Sequence, residues 1–402
     1  MSDTTRAPLV SICMPAYNHA GYVGFAIESI LAQTRGDFEL LINDDCSSDL
    51  TYEVIRSYDD PRIKAQRQDF RSGPSVTLNA AMRRARGKYI ALCASDDLWL
   101  PEKLALQLPF MEAHPGVAAL FGKPWLIDAQ GARLPDTAHN ELAADFGGEG
   151  FDRRQWLLWL FRKGNCLCAT SPLLRTDAVR ATGEFDPLML QLQDLDYWVR
   201  LLQKFDIRLS SDRVVEYRVN AGGVNISGAS MASYARISHE YYRVLGRFAE
   251  GDAAATLAAA PLQSDPLFTW QPAAPSRDLC IARHALECAM SSSLSSAYFL
   301  FAMDCLHRHG DDAGLAGAAG EKILFSLALF EVTGSSLAQD VLLGMSKSIS
   351  LEQALIARQQ EIDALRAELE ALKRAPTAAS PGSGAGSLRD SPGRVFGPGK
   401  NS

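Results

Sequence analysis

Along the first 130 residues, apolar side chains switch repeatedly between two spacings. LVSICMP (residues 9–15), FELLIND (38–44) and KYIALCA (88–94) are short, nearly continuous apolar runs, as expected of strands buried on both faces. Between them, GYVGFAIESILAQT (21–34) sets Val23, Ile27, Ile30 and Leu31 on one helical face. Ser47, Ser48 or Asp49 can cap a helix running to about Tyr58. RIKAQRQ (62–68) then reads as a strand, SVTLNAAMRRA (75–85) as a helix, PEKLALQLPFMEA (101–113) as a helix and VAALFGKPWLID (117–128) as a strand. Such alternation predicts an α/β fold with a mostly parallel sheet and helices on both faces.

The pattern then loosens. DAQG (128–131) predicts a hairpin turn, and EGFDRRQWLLWLFRKG (149–164) contains a short apolar helix. A strand, a short helix and a turn follow within 169–186. QLQDLDYWVRLLQKF (191–205) is a helix with Leu195, Trp198, Val199 and Leu202 on one face, and 208–220 ends this part with a strand. Beyond 227 the chain is Ala- and Leu-rich and reads as helical to about 345, interrupted by a loop at Pro261, Pro266, Pro272 and Pro275. Leu351, Leu355, Ile362, Leu365, Leu369 and Leu372 repeat in a 3-4 spacing, broken only where Arg358 takes an apolar slot. The expected organisation is therefore a first domain over 1–228, a helical region over 229–346, an amphipathic helix or short coiled coil over 347–374, and a Pro/Gly/Ser-rich disordered tail over 375–402.

Composition narrows the function. A 47% hydrophobic content supports a sizeable core, and the net charge of −7, from 40 basic and 47 acidic residues with no basic stripe, argues against a nucleic-acid partner. Eight cysteines without C-x-x-C spacing fit reduced, buried thiols. The start MSDTTRAPLV has no secretion-signal pattern, and no window approaches the ~18 apolar residues of a membrane span. A cytoplasmic location is expected, with peripheral contact at the inner face of the membrane left open.

In open α/β sheets ligands bind outside the carboxyl ends of the strands. Those ends carry Pro15, Ala16 and Tyr17 after the first strand, Asp44 and Asp45 after the second, and Asp96 and Asp97 after the fourth. Alone, the pair Asp96–Asp97 reads as a solvated turn with a cap for a helix opening at Pro101. Together with the other strand ends it outlines a polar, acidic rim around an aromatic ring.

VSICMPAYNHAGYVGFAIESILAQTRGDFELLINDDCSSD, RGKYIALCASDDLWLPEKL and GEFDPLMLQLQDLDYWVRL resemble the successive motifs of family 2 inverting glycosyltransferases, over residues of about 8–225. The resemblance implies a GT-A fold, with a mixed, mostly parallel sheet flanked by helices. It also implies a nucleotide-diphosphate sugar donor and a divalent cation, Mn²⁺ or Mg²⁺. By position Pro15, Ala16 and Tyr17 would pack on the nucleotide, with Tyr17 stacked on the base. Asp45 would hydrogen-bond the base, and a carboxylate suits the imide N–H of uracil or thymine, which favours UDP or dTDP. Asp96 would face the ribose and Asp97 would hold the cation against the diphosphate. Asp194 would be the general base that takes the acceptor's proton, with Asp196 its competitor.

Two positions depart from the family pattern. Gln193 stands where a glutamate is usual, and Asn220 stands where an Arg-x-His element often places histidine. The reading is thus a glycosyltransferase acting in glycan or surface polysaccharide synthesis, with a glycan, lipid-linked or protein acceptor left open, as is self-association through 351–372. The alternative is a weakly active or inactive glycosyltransferase-like scaffold acting through its C-terminal helices. A nucleotidyltransferase would need a Gly-rich, basic phosphate loop near the first strand, and none is there.

Overall fold

A computed structural model describes residues 7–135, 148–219, 231–261, 277–291 and 294–308. Asn220, the amphipathic stretch 347–374 and the tail 375–402 lie outside the described residues.

The alternating pattern becomes β1 (Val10–Ala16), α1 (Val23–Leu31), β2 (Phe38–Asp44), α2 (Thr51–Arg56), β3 (Ile63–Arg67), α3 (Pro74–Arg83) and β4 (Tyr89–Leu92). Every residue of β2 and β4 is buried, the mark of central strands covered on both sides. A two-residue strand, β5 (Leu98–Trp99), comes next. It delays α4 (Lys103–Ala113) beyond the expected start at Pro101 because Leu98 and Trp99 pair with a distant strand first. Then follow β6 (Val117–Ile127), α5 (Arg153–Lys163), β7 (Leu173–Arg175), α6 (Thr176–Thr182), α7 (Gln193–Leu202) and β8 (Asp206–Arg218). The helical region supplies α8 (Met231–Arg247), α9 (Gly251–Ala259), α10 (Arg277–Ser291) and α11 (Ser295–Arg308).

The eight strands form one sheet in the order β3-β2-β1-β4-β7-β6-β8-β5. Pairing is parallel from β3 through β4 and antiparallel where β7 meets β4 and β6. It is parallel again between β6 and β8, and β5 runs antiparallel on the edge. The sheet is therefore mixed, as the resemblance implies. Because β2 and β4 flank β1 on opposite sides, the chain reverses direction of progress at β1, and a crevice opens at the carboxyl ends of these three strands.

Alternate residues of β1 feed two cores. Val10, Ile12 and Met14 pack with Ile27 and Ile30 of α1 and with Leu104 and Met111 of α4. Cys13 faces the other way, into a cluster with Ala81 of α3 and Trp198 of α7. That second cluster continues through Phe161 of α5 into Tyr241, Phe248 and Phe301 of the helical region, so α8 and α11 complete a core that α5 and α7 cannot close alone. The hairpin turn at DAQG is present, closed by the Gly131 amide donating to the Asp128 carbonyl at 3.0 Å. Six of the eight cysteines are buried. No described helix is long and apolar enough to cross a membrane.

Gly87 sits where α3 hands over to β4 beneath β1. A Cβ there would lie 2.6 Å from the Ser11 amide nitrogen and 2.8 Å from the Tyr89 carbonyl oxygen, both rigid backbone atoms. Its own amide donates to the Ser11 hydroxyl at 2.9 Å. Gly87→Ala should lower unfolding stability by about 1–3 kcal/mol, read as an earlier midpoint in urea with an unchanged slope.

Candidate active site

The loops after β1 and β2 are tied to each other before they meet any ligand. Asn18 and Cys46 adopt left-handed backbone angles, with φ of 51° and 58°, which turn each loop sharply away from its strand. The Asn18 amide donates to the Ser47 hydroxyl at 3.0 Å, and its side-chain oxygen accepts from the Ser48 amide at 2.8 Å. Asp44 is fully buried and closes the β2 turn by accepting from the Ser47 amide at 3.0 Å, with the Arg67 guanidinium 3.4 Å away. Asp44 thus serves the turn rather than the crevice.

Asp45, its neighbour, is buried and does something else. Its Oδ1 accepts from the Ser72 amide at 2.7 Å and the Ser72 hydroxyl at 2.9 Å, and its Oδ2 accepts from the Gly73 amide at 2.9 Å. Three of about four acceptor positions are thus used to anchor the loop entering α3, and one, on Oδ2, remains for a donor. Tyr17 is half-buried, with the Arg71 guanidinium 4.4 Å from its ring centroid, so a cation already covers one side of the ring. Pro15 is partly covered and Ala16 buried at the same strand end, and the Ala16 carbonyl accepts from the Asp45 amide at 2.8 Å.

Asp97 does not cap a helix. It is 1% exposed, and its Oδ1 accepts from the Arg218 amide at 2.8 Å while its Oδ2 has no hydrogen-bond partner. Burial, and next the charge of Asp96, pushes its carboxyl up to about 8, against the pull of the Arg218 amide and the Thr170 hydroxyl. Asp96 is partly exposed, and its Oδ2 lies 4.0 Å from His19 Nε2, whose Nδ1 is 2.8 Å from the Ser95 hydroxyl. Arg218 braces the turn: Nε donates to the Asp96 carbonyl at 2.8 Å, and Nη1 donates to the Asp128 and Ala129 carbonyls at 2.8 and 3.1 Å.

Asp194 stands in the first turn of α7. It is half-buried as a residue, with its carboxyl enclosed by protein. Its Oδ2 accepts from the Asn165 amide group at 2.7 Å and its Oδ1 from the Leu195 amide at 2.8 Å. Burial raises this carboxyl to about 6, against those donors. The competitor Asp196 is fully buried between Arg200 and Arg247, each at 2.8 Å, and so is committed to holding α7 in place. The pKa of the Tyr217 phenol on β8 is raised first by burial and then by the neighbouring Asp97, Cys168, Asp96 and Asp194.

Among the described residues no group of three or more His, Cys, Asp or Glu is arranged to hold a metal. The unpartnered, buried Asp97 Oδ2 nevertheless suits a hard divalent cation whose remaining ligands are phosphate oxygens and water. Asn220, which stands where the family pattern often has histidine, lies outside the described residues; His19 Nε2 lies 4.0 Å from the Asp96 carboxylate. His19, Asn165 and Arg218 are contributions that position along the chain did not single out in these roles. Only His19, three residues past the end of β1, carried a sequence signal, by sitting on the rim.

Residues 11–171 match the family described as "Glycosyl transferase family 2". Among relatives, a putative teichuronic acid biosynthesis glycosyltransferase, TuaG of Bacillus subtilis, is 40% identical over 110 residues, 27% of this chain and 44% of that protein. The Escherichia coli UDP-Glc:alpha-D-GlcNAc-diphosphoundecaprenol beta-1,3-glucosyltransferase WfaP is 27% identical over 223 residues, 54% of this chain and 80% of that protein. The match thus spans less than half the length of the Bacillus relative. Of solved structures, S. aureus TarS 1-349 in complex with UDP-GlcNAc aligns with a TM-score of 0.48 at 18% identity, covering 80% of each chain.

Asp97→Asn tests the cation assignment. In wild-type protein Mn²⁺ plus UDP at a hundredfold excess over Kd should raise the melting temperature by roughly 3–5 °C, and the variant should lose that rise. Without cation the variant should melt no lower than wild type, because the Asp97 carboxyl, raised to about 8, is already largely protonated at neutral pH and the amide is a neutral replacement of the same shape.

Proposed function

Since residues 11–171 form a glycosyl transferase family 2 domain, we propose that this chain transfers a sugar from a nucleotide-diphosphate donor to an acceptor hydroxyl, in the synthesis of a surface polysaccharide or related glycan. The observation that carries the reading is a buried Asp97 carboxyl whose Oδ2 has no hydrogen-bond partner, together with a second carboxyl, Asp194, held by the Asn165 side chain and the Leu195 amide at the start of α7. One group is suited to a cation and the other to a proton.

In this mechanism Pro15, Ala16 and Tyr17 pack against the nucleotide base and Asp45 accepts from its imide through the position left on Oδ2. A carboxylate acceptor favours UDP or dTDP over GDP. Asp96 meets the ribose side, with His19 within reach of its carboxylate. Asp97 would hold Mn²⁺ or Mg²⁺, which when bound offsets the negative charge on the departing diphosphate. Asp194 accepts the proton of the acceptor hydroxyl as its oxygen bonds to the anomeric carbon and the bond from that carbon to the diphosphate oxygen breaks. Attack opposite the leaving group inverts the anomeric centre in a single displacement.

The Asp194 environment suits a base. Enclosure raises its proton affinity enough for it to take up the proton, while the Asn165 and Leu195 donors orient the carboxylate. The retention of Tyr17, Asp45, Asp97 and Asp194 on one rim favours an enzyme over the scaffold alternative.

A panel of UDP-, dTDP- and GDP-sugars with Mn²⁺, screened by melting-temperature shift and then by donor hydrolysis, tests the reading. A donor that binds and is hydrolysed supports it, and binding without any turnover points to the scaffold. Asp194 works deprotonated, so with donor and Mn²⁺ saturating, which keeps Asp97 ionised, transfer should fall about tenfold per pH unit once pH drops below about 6, with a plateau above. Asp194→Asn should cost ~10²–10⁴-fold in kcat while donor binding persists. A variant that kept full transfer would remove Asp194 from the role.

A further inference from the structure

The loop that delivers Asp194 is not held by its own helix. Residues 185–192 run from the end of α6 to the start of α7, and the α3 side holds the first part. The Asn79 side chain donates to the Phe185 carbonyl at 2.8 Å and accepts from the Phe185 amide at 2.9 Å, and the Ser75 hydroxyl donates to the Met189 carbonyl at 3.0 Å. The last part is held from α8, outside the segment matched to the family. Glu240 is 2% exposed; its Oε1 accepts from the Leu190 amide at 3.0 Å, and its Oε2 accepts from the Gln191 and Leu192 amides at 2.9 Å each.

Glu240 does not act alone. Arg243 and Arg247 follow it at helical spacing on the same side of α8. Arg243 pairs with Asp186 at 3.0 Å, and Arg247 pairs with Asp186 at 3.7 Å and Asp196 at 2.8 Å. These contacts fix the loop ahead of Asp194 and the helix behind it. The three amides gathered by Glu240 end at Leu192, two residues before Asp194. They precede the first turn of α7. Loss of the Glu240 carboxylate removes the acceptor that gathers these three amides and so loosens the loop it holds.

We propose that Glu240 is a positioning residue for Asp194, so that α8 of the C-terminal helical region belongs to the transfer machinery rather than serving only as packing. The inference rests on Asp194 acting as the base. A carboxyl held within a fraction of an ångström of its productive place loses rate steeply when displaced, and a 1 Å shift costs on the order of 10²-fold. Donor contacts lie on the β1, β2 and β4 ends, which Glu240 does not touch, so donor affinity should be spared.

The experiment uses the full chain with a donor and acceptor that support transfer, comparing wild type, Glu240→Ala, Glu240→Gln, Asp194→Asn and the double variant Asp194→Asn/Glu240→Ala. Glu240→Ala should lower kcat by roughly 10–100-fold with donor KM within about twofold of wild type. Glu240→Gln keeps a carbonyl oxygen for the Gln191 and Leu192 amides and should fall between the two. The double variant should be no slower than Asp194→Asn, because Glu240 acts through a group already removed.

Wild-type kcat in a folded Glu240→Ala overturns the proposal. So does a loss shared equally between kcat and donor KM, or a double variant much slower than Asp194→Asn. If Glu240→Ala does not fold, Glu240→Gln decides below its melting temperature: reduced kcat at unchanged donor KM supports the proposal, and wild-type kcat overturns it. Full activity in Asp194→Asn fails the base assignment itself. An inactive Asp194→Asn beside unimpaired Glu240 variants fails this inference alone.

Discussion

Arg218 holds together the acidic corner on which the rest of the site depends. At the end of β8 its amide donates to Asp97, and its guanidinium donates to the carbonyls of Asp96, Asp128 and Ala129 while lying 4.8 Å from the Tyr22 ring centroid. It thereby joins the turn after β4, the hairpin after β6 and the loop after β1. Its charge is spent on backbone carbonyls and leaves Asp97 only partly neutralised. The result is a carboxylate that is fixed in place and still short of a partner.

A second set of constraints links the nucleotide side to the proton-accepting side. Asp45 grips Ser72 and Gly73, these open α3, α3 grips Phe185 and Met189, and the loop so held leads into Asp194. A rigid helix bonded at both ends transmits position between strand ends and α7 without any contact between Asp45 and Asp194. This arrangement gives Asp45 a structural duty whatever its part in the proposed base recognition, and substitutions there should be read with both in mind.

Much of the fold was legible because it is local. The continuous apolar runs and 3.6-residue patterns that mark β1 to α4 arise from neighbours along the chain, and those elements appear close to where the pattern places them. Leu98 and Trp99 were absorbed into a turn because two residues carry no period, and only their pairing with Val215 and Glu216 makes them a strand. The site divides in the same way. Asp97 and Asp194 stand at strand and helix ends that the pattern exposes, and the resemblance supplies their roles. Arg218 meets Asp97 across 121 residues and Glu240 meets the Leu192 amide across 48, separations over which a single sequence shows no correlation.

Gln193 shows how a departure from the family pattern fits this environment. Its Oε1 is buried without a hydrogen-bond partner, immediately beside Asp194. A glutamate there would place a second carboxylate next to a carboxyl already raised to about 6 by burial, and like charges would drive the proton affinity of the pair higher still. At neutral pH such a base would be partly protonated before an acceptor arrived. A neutral amide avoids that repulsion and leaves an acceptor oxygen that a sugar hydroxyl can satisfy. On the proposed reading, a neutral amide at position 193 adds no charge beside the base and would meet an acceptor by hydrogen bonding alone.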